Sequence, residues 1–311
     1  MENKDIKILL VGTGAVGSYY GGKLQQAGAH VTALCRSDYD IVIENGIYIK
    51  SINGNFHFKP DKVIKYADEY SYKADYILVT TKVLPEIDIA SIIKPAVSEN
   101  TVIVLLQNGI NIEQPIVKTF PHNEFISALA FICVSRVEYG KIDHQDYGRI
   151  VIGNYPKGIT PAVETLHNLF QKAEINCTIN EDIVAARWIK LVWNAPFNPI
   201  SVLGGGVTTK EMLSADSTKE LIRNIMKEVA LLAKASGNPI PESIIDKNIS
   251  DTEKMTPYKT SMLLDYENKR PLEVEAILGN ALKIAKENDI ETPYIESIYG
   301  LLTIINQKNL E

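Results

Sequence analysis

The chain has 311 residues, 45% apolar and 23% charged, which is ordinary for a soluble globular protein and long enough for two domains with separate cores. A formal net charge of -6 without a stripe of clustered Lys and Arg argues against a nucleic-acid surface. Three cysteines without CxxC spacing and five scattered histidines argue against a disulfide framework and a metal site, and the cysteines read as buried thiols of a reducing compartment.

Met1–Asp5 lacks the apolar core of a signal peptide, and the longest uncharged apolar stretch, near Ile126 to Val134, is too short to span a bilayer. A cytoplasmic protein with no membrane partner is expected. The apolar run from Ile6 to Val11 passes at once into Gly12-Thr13-Gly14-Ala15-Val16-Gly17, where a strand ends and a helix to Ala27 begins. Gly12 permits the tight turn, Gly14 lets backbone approach a pyrophosphate, and Gly17 lets the helix lie close on the sheet. The free N–H groups of that helix start are an anion seat, so residues 12 to 17 are expected to bind a dinucleotide. A second strand, His30 to Cys35, completes the unit. An NAD site places an acid at its tip for the ribose 2′-hydroxyl. Here Arg36 and Ser37 stand there instead, a guanidinium fork and a hydroxyl suited to a 2′-phosphate, which favours NADP. The competing readings are a solvated surface arginine and Asp38 as the ribose acid.

A short helix is expected near Tyr39 to Asn45, then strands at Ile47 to Lys50 and Phe56 to Lys59 joined by the turn Asn53-Gly54. Tyr76 to Thr80 and Thr101 to Leu106 read as buried parallel strands, with a helix from Glu86 to Val97 between them. Thr80-Thr81-Lys82 and Gln107-Asn108-Gly109 then fall at strand carboxyl ends, where α/β sheets bind ligands, although Lys82 and Asn108 taken singly also suit a solvated lysine and a turn former. Strands at Phe125 to Val137, Gly140 to His144, Arg149 to Ile152 and Asn176 to Ile179, with a helix at Pro161 to Lys172, extend the same sheet. From Glu181 onward the pattern is helical, with long segments at Glu181 to Trp193, Lys219 to Ser236, Pro271 to Asn288 and Pro293 to Asn306. The fold class is an α/β Rossmann-type dinucleotide-binding domain, residues 1–180, followed by an all-α domain, residues 181–311.

In the apolar segment from Ala185 to Pro199, Lys190, Asn194 and Asn198 recur every four residues and share one helix face. A lysine among Trp188, Ile189, Leu191, Val192 and Trp193 is partly desolvated, which favours proton donation. The alternative is a solvent stripe on a buried helix. Pro196 is expected to kink the segment. Further on, Ser261, Asp265, Arg270, Glu273 and Glu275 form a second polar cluster, which sequence spacing alone cannot bring to Lys190.

These motifs, in this order over nearly the whole chain, resemble the ketopantoate reductase (2-dehydropantoate 2-reductase) family. The resemblance implies NADPH-dependent reduction of a small 2-keto acid in a cleft between a Rossmann domain and a helical domain, by a monomer or homodimer. It implies Lys190 as general acid, Asn194, Asn198 and Ser261 as substrate-binding residues, and Asn108 as a bridge between substrate and cofactor. Lys82 and Glu273 fall on the cofactor side, Glu273 near the nicotinamide ribose and the lysine. Tyr258, Leu278 and Thr208 stand where well-known members carry asparagine, which leaves a second branched 2-keto acid, or a non-catalytic NADP-binding role, as alternatives.

Overall fold

The computed structural model describes residues 6–311, so Met1–Asp5, where no leader core is expected, lies outside the described residues. The chain forms two compact units, one of Met1–Lys82, Ile87–Gln107 and Glu113–Ile183, the other of Val83–Glu86, Asn108–Ile112 and Val184–Glu311.

The first unit runs β1 (Lys7–Val11), α1 (Ala15–Gln26), β2 (His30–Leu34), α2 (Tyr39–Asn45), β3 (Ile47–Ser51), β4 (Phe56–Phe58), β5 (Lys62–Ile64), β6 (Tyr76–Val79), α3 (Ile89–Ile93), β7 (Val102–Leu105), α4 (Gln114–Thr119), β8 (Phe125–Glu138), β9 (Lys141–Asn154), α5 (Pro161–Lys172) and β10 (Cys177–Ile179). All of these strands join one sheet in the order β4-β3-β9-β8-β7-β6-β1-β2-β5, with β10 also on β9. Pairing is parallel from β7 through β6, β1 and β2 to β5. The chain fills one side of β1 with β2 and β5, then crosses to β6 on the other side. The ends of β1 and β6 therefore flank a topological switch point, the place where such sheets bind ligands.

The central strands are apolar at every position because both faces are covered. Ile8 and Leu10, Tyr76 and Leu78, and Val102 and Val104 point into one core with Tyr20, Leu24, Leu166 and Phe170 of α1 and α5. Their neighbours Leu9 and Val11, Ile77 and Val79, and Ile103 and Leu105 point into the other core with Ile89, Ile93 and Ile116 of α3 and α4. Two-residue alternation divides each run between the two layers.

Several expected elements differ. The segments 140–144 and 149–152 are halves of one strand, β9, which pairs along its length with β8. Its first half also pairs with β3 and its second with β10. Between the halves Tyr147 and Gly148 have φ of 61° and 118°, so the residues that read as a turn form a bulge. The helix expected from Glu86 to Val97 is only α3 followed by a 3₁₀ turn at Lys94–Ala96, because Asp88 caps it by accepting from Ser91 N and Pro95 breaks it. Strand β5 and helix α4 were not expected from the sequence.

The second unit runs α6 (Ile183–Leu203), α7 (Thr209–Met212), α8 (Asp216–Ala235), α9 (Ser243–Lys254), α10 (Ser261–Glu267), α11 (Asn280–Glu287) and α12 (Pro293–Leu310), with a π-helical segment at Glu275–Gly279 leading into α11. Helices α7, α9 and α10 were not individually expected. Helix α6, expected as a helical segment that reaches Pro199 with a kink at Pro196, is one helix that continues through both prolines to Leu203. An interior proline costs about 3 kcal/mol, but Leu191, Val192, Ala195, Phe197 and Ile200 are all buried in this unit's core, and burying such side chains at roughly 1.5–3 kcal/mol each outweighs it. Trp193 stacks on Phe197 with ring centroids 4.7 Å apart. Among the described residues no helix is long and apolar enough to cross a membrane.

Candidate active site

In the first unit the glycine turn joins β1 to α1. Gly12 has φ 98°, and a Cβ there would lie 2.8 Å from Thr81 Cγ2. A Cβ on Gly17 would fall 2.2 Å from Gly12 O and 2.3 Å from Thr80 Oγ1. Thr80 stitches the end of β6 to this turn by donating to Gly12 O at 2.7 Å and Val11 O at 3.1 Å. Gly14 is different. Its φ of -66° suits any residue, and a Cβ there would meet nothing within 4 Å. Neither backbone strain nor packing requires this glycine, so the open space above it fits a group approaching from outside. Gly14 is also the N-cap of α1, with no side-chain cap and no acid in the first turn. The first N–H groups of α1, from Ala15, Val16 and Gly17, are thus left for an anion. The residues present fit a dinucleotide pyrophosphate.

At the end of β2, Arg36 and Ser37 are exposed while Asp38 is buried. The Asp38 carboxylate accepts from Thr13 Oγ1 at 2.5 Å. Burial pushes the neighbouring Cys35 thiol up to about 12, so it stays protonated and unreactive. Cys35, Cys133 and Cys177 are all buried and free. Half-buried Lys82 and buried Gln107 follow the ends of β6 and β7, and Gln107 Nε2 donates to Thr81 O at 2.7 Å. A recess of about 270 Å³ elsewhere in this unit is lined by Tyr19, Asn53, Gly148 and Arg149 among others, and no predicted site residue lines it.

The second unit gathers the other predicted residues. Half-buried Lys190 donates from Nζ to Asn108 Oδ1 at 2.9 Å, and Asn108 Nδ2 lies 3.4 Å from Glu273 Oε2. The other oxygen of Glu273 accepts from Val83 N at 3.0 Å. Lysine, amide and carboxylate so form a line assembled from three distant segments. The short loop bearing Asn108 is held from both sides. Buried Arg187 donates to Gly109 O at 2.9 Å, Ile110 N donates to Ala276 O at 3.1 Å, and Asn280 Nδ2 donates to Ile110 O at 2.9 Å. Gly109, with φ 105°, sits so close that a Cβ would fall 2.5 Å from Ala276 O. Ala276 belongs to the π-helical segment, a form that recurs at functional sites because it displaces carbonyls from the ordinary ladder.

Along α6, Asn194 and Asn198 are buried, which removes the solvent-stripe reading. Asn198 Oδ1 has no hydrogen-bond partner among the described residues. Ser261 is exposed at the first position of α10, behind the buried cap Thr260. Thr260 Oγ1 bonds Ser201 Oγ at 2.7 Å, and Ser201 Oγ donates to Asn198 O at 2.6 Å. Two hydroxyls with no role assigned from the sequence, Ser201 and Thr260, therefore tie the Ser261 end of α10 to α6. Thr208, one of the family departures, caps α7 through a reciprocal pairing with Glu211, and Leu278, another, is fully buried in the core.

Residues 8–157 match the model of the family described as ketopantoate reductase PanE/ApbA, and residues 182–306 match its C-terminal model. The chain is similar to the 2-dehydropantoate 2-reductase of a Nostoc species, 38% identical over 97% of this chain and 96% of that one. Among solved structures it is similar to 2-dehydropantoate 2-reductase from Methylococcus capsulatus, 44% identical with 98% of each chain covered and a TM-score of 0.92. The enzyme of that name from Geobacter metallireducens is 35% identical, with 96% of this chain and 99% of that one covered and a TM-score of 0.90.

Proposed function

The chain belongs to the ketopantoate reductase family, and on that premise we propose that it reduces 2-dehydropantoate to (R)-pantoate with NADPH in the cytoplasm, a step toward pantothenate and coenzyme A. The observation that carries the reading is the line Lys190, Asn108, Glu273. When bound, NADPH supplies the hydride that the ketone carbon accepts. The turn from Gly12 to Gly17, including Thr13, Ala15 and Val16, holds its pyrophosphate. Arg36 takes the 2′-phosphate, and Lys82, Asn108 and Glu273 serve the rest of the cofactor. Negative charge then grows on the ketone oxygen, and Lys190 neutralises it by giving up a proton, so the products are the alcohol and NADP+. Asn108 fixes the direction of the ammonium group, and Glu273 fixes Asn108. Asn194 and Asn198 bind substrate, the unpartnered Asn198 Oδ1 offering an acceptor to its hydroxyl. Ser261 holds its carboxylate.

A second reading keeps the chemistry and changes the substrate to another branched 2-keto acid. It draws on Thr208 and Leu278, whose positions are committed to a helix cap and to the core. Steady-state NADPH oxidation with a panel of 2-keto acids tests both. Highest kcat/KM with 2-dehydropantoate is expected. A tenfold preference for another acid, on the order of 1.4 kcal/mol, would overturn the substrate assignment, and no oxidation with any of them would overturn the enzyme.

A further inference from the structure

Asp38 stands where the two cofactor readings compete. Beside a ribose 2′-hydroxyl a carboxylate is an attractive acceptor, whereas beside a 2′-phosphate it is a like charge that weakens binding. The side chain is 5% exposed and accepts from Thr13 Oγ1 at 2.5 Å. Thr13 is likewise 5% exposed, and its hydroxyl lies 2.5 Å from Asp38 Oδ2 and 3.4 Å from Cys35 Sγ, so the carboxylate is the nearer and stronger of its two acceptors. Asp38 is also the N-cap residue of α2, a position from which an aspartate ordinarily accepts from the first-turn amides. It makes no such cap bond. The carboxylate is turned toward the glycine turn instead, while Arg36 and Ser37 before it remain exposed.

We propose that the Thr13–Asp38 hydrogen bond is a cofactor-selectivity latch, which holds the carboxylate inward so that Arg36 and Ser37 read a 2′-phosphate without a competing negative charge. The inference rests on the NADPH reading above. A bond that merely stapled the turn to α2 would affect both cofactors alike, whereas a latch affects their ratio.

The test titrates NADPH and NADH into the unmutated protein, Thr13→Val, Asp38→Asn and the double variant, with thermal melts to establish folding. Thr13→Val releases a charged side chain and lowers the NADPH-to-NADH affinity ratio by about tenfold or more, mostly through weaker NADPH. Asp38→Asn keeps an acceptor for Thr13 and loses the charge, so its ratio stays at or above the original. In the double variant the released side chain is neutral, and the ratio recovers to within roughly threefold of the original. Should the valine variant fail to fold, Thr13→Ala carries the same arm. Equal loss of both cofactors in the single variant, or no recovery in the double, overturns the latch and leaves the NADPH reading standing. An unmutated protein that binds NADH as tightly as NADPH overturns the cofactor reading and the latch together.

Discussion

The glycine turn of the first unit and the Lys190 line of the second are built on opposite principles. The turn works by what is missing: Gly12 and Gly17 lack the side-chain atom that would strike Thr81, Thr80 or Gly12 O, and Gly14 leaves open space. Its polar groups are backbone, fixed by the start of α1. The Lys190 line works by what is present, three side chains from α6, the loop after β7 and the segment before the π-helical turn, each aimed by its neighbour. A site made of backbone tolerates changes of side chain and fails on an added Cβ. A site made of paired side chains fails on deletion of one functional group.

The sharpest way to break this contrast is Lys190→Ala. Loss of a positioned proton donor should cut kcat by about 10² to 10⁴ while leaving NADPH affinity nearly unchanged. Near-normal kcat in the folded variant would remove Lys190 as the acid. Next in size, Gly14→Val should weaken NADPH binding roughly 10- to 100-fold, from the ~1–3 kcal/mol that an intruding side chain costs a close contact. Its melting temperature should hold, because nothing of the protein lies within 4 Å of the new Cβ. A lowered melting temperature with intact NADPH affinity would make Gly14 a packing glycine. Glu273→Gln should reduce kcat by about tenfold, since one oxygen can still accept from Val83 N while the charge beside Asn108 is lost. An unchanged kcat would detach Glu273 from the line.

The smallest effect lies away from both sites and guards the interpretation of pH profiles. His144 is buried, with Nδ1 2.8 Å from Ser51 Oγ and Nε2 facing Asp146 O and Tyr147 O. Burial holds its pKa below the ordinary histidine value. The unfolded chain therefore takes up this proton first, and stability should fall as pH drops below about 6.5 until the folded-state pKa is reached. Denaturant unfolding of the original and of His144→Gln between pH 7.5 and 5.5 checks this. An equal slope in both would clear His144 and assign the acid sensitivity elsewhere.

The contrast also explains what the sequence could convey. The glycine turn, the continuous apolar runs of β1, β6 and β7, and the ends of α2 and α5 follow from neighbours within a few positions, and all were legible. Strand β9 was misread because its identity as one strand depends on β3 and β10, which arrive from residues 47–51 and 177–179. The passage of α6 through two prolines depends on a core supplied by other helices. Lys190, Asn194 and Asn198 could be placed on one face by spacing, yet the bond from Lys190 to Asn108 spans 82 positions, and that between Asn108 and Glu273 spans 165. No local pattern encodes such meetings. Ser201 gave no signal, since lone hydroxyls are common in helices, and nothing near Thr260 in the sequence pointed to its bond with Ser201, 59 positions away.

The π-helical turn at Glu275–Gly279 sets the phase of everything before it. An α-helix advances about 100° per residue, and a π turn holds one residue more than an α turn. Taking a single residue out of this stretch would return α11 to an uninterrupted α-helical frame. It would also rotate Glu273 by about 100° relative to α11 and withdraw the Ala276 carbonyl from Ile110. Such a deletion variant should turn over far more slowly, and a variant that kept full activity would show the extra residue to be dispensable. The added residue thus acts as a frameshift in the helix, trading regularity for the aim of one carboxylate.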